Sequence, residues 1–170
     1  MIRYEDVPNR VYKVLKFVRD GWFPELKGAR ILPIFDLKQS GSKGKITLAS
    51  IRLASDLQKY LTMEGTQESI GYDYILIIDK IAWKRAAKSI KFAISEDRVR
   101  LIRHELRHTR VSMSAKKPYG LRSHTVEDFY SEIKLNKKDP RWAERLSTNV
   151  ALAYKAKRLL ERAKTMKGGE

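Results

Sequence analysis

A chain of 170 residues has the size of one ordinary domain, with room for a real core. It contains no cysteine, which excludes disulfides and thiolate-bound metal, and no apolar run long enough to span a membrane. Its formal net charge of +16, from 36 Lys and Arg against 20 Asp and Glu, favours polyanions such as nucleic acid, an acidic surface or an acidic protein.

The opening "MIRYEDVPNR" places acids and a proline where a signal peptide needs an apolar stretch, so an intracellular, cytoplasmic location is expected. Over 7–19, Val7, Val11, Val14, Leu15 and Val18 form one helical stripe, which Gly21 and Pro24 should end. "ARILPIFDLK" (29–38) and "KITLASIRL" (45–53) read as strands joined by the turn-forming "QSGSKG", a hairpin in expectation. "ASDLQKYLTMEG" predicts a short helix capped by Ser55.

"YDYILIID" (72–79) is the most apolar strand candidate and belongs in the middle of the sheet or along its buried side. A helix then starts at Ser95, with Glu96 and Asp97 in its first turn. After the break at "KKPYG" a second helix should begin near Ser123 to Thr125 and run through "VEDFYSEIKL". Asp139-Pro140 opens a last helix to about Lys164, with Leu146, Val150, Ala153 and Leu160 as its inner stripe. With no internal repeat and no linker, residues 1–170 read as one α+β domain. An N-terminal helix, a three-stranded sheet, an active-site helix and C-terminal helices should follow in that order.

The chemistry concentrates in "LIRHELRHTR" (101–110). At ~100° per residue His104 and His108 stand about 40° apart on one helix face, as two imidazoles binding one metal ion require. Glu105 lies about 100° round from His104, off the metal but within reach of a water beside it. Val99, Ile102 and Leu106 give the helix an apolar back. The bland reading, a solvated face with two incidental histidines, fits this pattern less well.

A catalytic zinc ion usually has three protein ligands and an open position. The one other histidine, His124, falls 16 residues after His108. Glu127 competes for the third place, following the pentad after an 18-residue spacer (109–126), and Asp128 is adjacent. On a helix His124, Glu127 and Asp128 would share a face. Spacing alone does not choose between them; His124 is the preferred ligand, with Glu127 or Asp128 orienting a ring nitrogen.

"SEDRVRLIRHELRH" followed by "LRSHTVEDFYSEI" resembles the phage-type metallopeptidases, a small zincin family similar in appearance to SprT-like proteases. The likeness covers about residues 72 to 133. It implies a zinc-dependent peptidase of zincin-like fold, with His104, His108 and His124 as ligands and Glu105 as base. The longer glycine- and histidine-bearing pattern of metzincins is absent from "HTRVSMSAKK".

Two functions compete at this point. One is a zinc (Zn2+) peptidase acting on protein or peptide substrates, with Tyr119, Arg122 and Tyr130 as candidate oxyanion donors. The other is a basic nucleic-acid-binding protein with a structural metal or none. Arg100, Arg103 and Arg107 beside the histidines, and Lys155, Lys157, Arg158, Arg162 and Lys164 on the last helix, would then follow phosphates. The two combine in a protease acting near nucleic acid. A membrane role is disfavoured, because the basic helix has no Trp- or Phe-rich face.

Overall fold

The computed structural model describes residues 2–42, 45–63, 71–86, 95–124 and 130–167. In chain order come β1 (Tyr4–Asp6), α1 (Asn9–Trp22), β2 (Ile31–Asp36), β3 (Gly41–Ser42), β4 (Lys45–Ile46), β5 (Ala49–Leu53), α2 (Asp56–Leu61), β6 (Tyr74–Asp79) and α3 (Lys80–Arg85). Then follow α4 (Glu96–Arg107), β7 (Thr109–Val111), β8 (Tyr119–Leu121), α5 (Tyr130–Leu135) and α6 (Trp142–Lys167). The fold is α+β, as expected.

The main sheet has four strands in the order β1-β2-β6-β5, one more than expected, because the short polar segment Tyr4–Asp6 adds an edge beside β2. β6 sits centrally, parallel to β2 and antiparallel to β5. Its side chains are buried or nearly so on both sheet faces, which is why an unbroken apolar run occupies this position. The expected hairpin between 29–38 and 45–53 does not form. β6 separates β2 from β5, since the most apolar strand gains most from lying between two others. The intervening turn closes its own small ladder, β3 with β4.

α1 buries Val11, Val14, Leu15 and Val18 and runs through Gly21 to Trp22 before Pro24 stops it. A Cβ at Gly21 would meet nothing, so that glycine neither breaks the helix nor serves packing. α1 and α4 pack on one another over the sheet face that carries Ile31, Phe35, Leu76 and Ile78. From α4 this core takes Leu101, Ile102 and Leu106. Ser55 caps α2 in a reciprocal capping box with Gln58. Ser95 takes the N-cap position of α4, yet its hydroxyl makes no capping bond.

α6 docks on α3 through Trp142, Leu146, Val150 and Tyr154. The Tyr154 hydroxyl donates to Asp79 Oδ2 at 2.7 Å. The expected inner stripe needs correcting beyond Val150. Ala153 is half-buried and Leu160 is 65% exposed, because the helix continues past the body that covers it. Residues 155–164 are all exposed.

Candidate metal centre

α4 owes its position to its apolar back. Burying Leu101, Ile102 and Leu106 fixes the rotation of the helix and so directs His104 and His108 into a cleft of about 600 Å³. The opposite wall is β5, with Ala49, Ser50 and Ile51; Leu121, Arg122, Ser123 and His124 close the third side.

His124 arrives by a route other than the one expected. It does not stand on a helix; it follows β8, three residues beyond Leu121 in a non-helical segment. The β7–β8 hairpin turns the chain back toward α4, and the Arg122 N–H donates to the His108 carbonyl at 2.7 Å. Tyr74, fully buried on β6, anchors this hairpin. Its hydroxyl lies 3.1 Å from the Arg110 carbonyl and 3.0 Å from the Gly120 carbonyl. Burial pushes its phenol up to about 12, so it stays a neutral donor.

The three imidazoles therefore converge. Each offers one nitrogen, and these nitrogens all lie within 4.8 Å of one another; among the described residues this is the one such group. His104 Nε2 and His124 Nε2 are 3.1 Å apart. Two nitrogens bound at ~2.0–2.1 Å to one tetrahedral ion would be separated by about 3.3–3.4 Å, so the pair already stands near that spacing. His108 Nδ1 lies 3.0 Å from the Arg122 carbonyl oxygen. Donating its Nδ1–H there leaves Nε2 with the lone pair, the tautomer that lets Nε2 bind a metal. A donor set of three neutral imidazoles suits a borderline divalent ion, and the residues present fit one.

Glu105 is not in this group. Its side chain is buried in the wall of the cleft, where desolvation pushes its carboxyl up to about 8, against a lowering hydrogen bond from the Ile51 backbone. A cation nearby would favour the charged form again. The bond to Ile51 was invisible in the sequence, because it depends on β5 being the strand beside α4.

The other expected residues divide. Arg122 lines the cleft, and its Nε donates to the Arg107 carbonyl at 2.5 Å. Tyr119 does not line it: the ring packs on Tyr74, and the hydroxyl faces Gly28. Glu127 and Asp128 lie outside the described residues, as does the Tyr130 side chain. The Arg122 carbonyl, missed in the sequence, does for His108 what Glu127 or Asp128 was expected to do for a ring nitrogen.

Arg100, Arg103 and Arg107 do not form a phosphate-facing stripe. Arg100 pairs with Glu96, Asp97 and Asp139 at 2.6–3.0 Å. Arg103 and Arg107 both reach Glu132, which is fully buried on α5. Arg103 also donates to Asn136 Oδ1 at 2.8 Å. These guanidinium groups join α4 to the C-terminal helices through buried and half-buried ion pairs.

Comparison with curated proteins and comparison with solved structures each returned no match. A family model described as "Putative phage metallopeptidase" matches residues 2–163, nearly the whole chain, including the β1 edge, the histidine-bearing helix and most of α6. The protein belongs to this phage metallopeptidase family.

Proposed function

We propose that this chain is a zinc-dependent peptidase in which His104, His108 and His124 hold the ion and Glu105 is the general base. The observation that carries the reading is the convergence of three imidazoles on a cleft with one buried carboxyl in its wall. When bound, a zinc ion would supply Lewis acidity to a carbonyl oxygen and to a water molecule.

The remaining work falls to the chain's own residues. Glu105 accepts a proton from water at a carboxyl oxygen and returns it to the leaving amine. Its bond from the Ile51 backbone holds that carboxyl in one orientation. β5 is an end strand of the sheet, paired with β6, and its Ala49, Ser50 and Ile51 line the cleft where an extended peptide would lie. A substrate aligned there would lie against Ser50 and Ile51, beside Glu105 and the histidines. Arg122 lines the same cleft and is the candidate donor for the developing oxyanion.

Glu105→Gln tests the reading. Gln keeps the size of the side chain and removes the proton acceptor. Metal content should stay at the wild-type level while hydrolysis of casein or a peptide library falls about 10²–10⁴-fold. A Gln variant as active as its parent overturns the assignment of the base. The rival reading, a nucleic-acid binder with a structural metal, has lost the arginines of α4 to ion pairs and gives Glu105 no task.

A further inference from the structure

α6 carries two apolar stripes, and the core uses one of them. Leu146, Val150 and Tyr154 are buried against the body. Leu152, Leu159 and Leu160 are exposed at 60%, 56% and 65%. With ~100° between successive residues, Leu152, Ala156, Leu159, Leu160 and Ala163 fall within an arc of about 100°, centred roughly 130° round from the buried stripe. No rotation of the helix would bury both. The exposed arc extends over about three turns, ~17 Å, on a part of the helix whose side chains are all in solvent apart from Ala153 and Tyr154.

Charge flanks this arc on both sides. Lys155 and Arg162 border one edge, Lys157 and Lys164 the other, and Arg158 lies on the far side of the helix. Against these five cations residues 152–164 hold one acid, Glu161, a net of +4 (5 − 1). Leucines in a row between cationic borders are the complement of an amphipathic helix with apolar residues bordered by acids. Other occupants match less of what is present. Two copies of this face would bring two +4 segments together. Phosphate backbones have no use for a leucine row. An interfacial membrane helix would be expected to carry Trp or Phe, and the one aromatic residue here, Tyr154, is buried.

We propose that the outer half of α6 is a docking surface for an acidic amphipathic helix of a protein partner. It is independent of the catalytic reading, since none of its residues lines the metal cleft.

The probe is a labelled synthetic helix about three heptads long, with leucine at the core positions and glutamate flanking them. Fluorescence anisotropy with the full chain should show saturable binding. Leu152→Ser combined with Leu159→Ser should weaken it about tenfold or more with unchanged thermal stability, both sites being exposed. Lys155→Glu with Arg162→Glu should weaken it similarly, and a lysine-flanked version of the probe should restore binding to that variant. Absence of saturable binding overturns the proposal, as does binding indifferent to the leucine substitutions. So does leucine-dependent binding seen only with phosphatidylserine vesicles or duplex DNA, or a leucine-dependent dimer in sedimentation.

Discussion

His104 Nε2 and His124 Nε2 lie 3.1 Å apart although the two residues are 20 positions apart in the chain. Two ring nitrogens held this close share either a proton or a cation. If they share a metal, the purified protein should hold one divalent ion per chain, zinc by the chemistry of three imidazoles. His104→Ala or His108→Ala should abolish it, read by elemental analysis of protein made without a histidine tag. Stoichiometric metal in the double variant would sink the site.

Tyr74 tests whether the hairpin positions the third histidine. Tyr74→Phe removes the hydroxyl that holds the Arg110 and Gly120 carbonyls and leaves every candidate ligand in place. Metal affinity should fall by about 2–10-fold, the equivalent of one hydrogen bond lost from the hairpin. Competition with a chromogenic chelator measures it. An unchanged affinity would show that the hairpin needs no such anchor.

Glu132 sits beneath two guanidinium groups at 0% exposure, with its carboxylate 2.9 Å from Arg103 Nε and 3.1 Å from Arg107 Nε. Glu132→Ala leaves those cations without their shared counter-charge inside the protein. A loss of about 3–5 kcal/mol is expected, measured as a shift in the urea midpoint. A loss below about 1 kcal/mol would mean that water reaches the cluster freely.

Tyr154→Phe removes the donor to Asp79 Oδ2 and should cost about 1–3 kcal/mol. Asp79 also accepts from the Ala82 N–H at 2.7 Å as the N-cap of α3, so the loss should be felt at the α3–α6 contact. Hydrogen exchange along α6 reads this directly. Unchanged exchange there would show that the bond does not hold α6.

Asp79 also gives a pH dependence with a definite sign. Burial raises its carboxyl above the ordinary 3.8, so the folded state binds the proton more tightly than the unfolded one. The stability it contributes is therefore complete below pH 3.8 and is lost as pH rises through the folded value. Asp79→Asn should flatten that part of the stability profile in a series of urea titrations. A profile as steep as the wild type's would place the titration elsewhere.

What the sequence determined by itself is local. His104, Glu105 and His108 are fixed relative to each other by the helical repeat, and the apolar positions of α4 state which way the helix must face. The central place of "YILIID" followed from a strand with apolar residues on both faces, and Ser55 announced its own cap. The tertiary structure decided what depends on neighbours distant in the chain. That β6 would part β2 from β5 follows from competition among strands for the buried position, which no turn signal encodes. That Arg100, Arg103 and Arg107 would turn inward follows from the arrival of Asp139 and Glu132, 39 and 29 residues further on. The partner of His108 Nδ1 is a backbone carbonyl, and every residue has one. Only the turn of the β7–β8 hairpin could select Arg122 and carry His124 to within reach of His104.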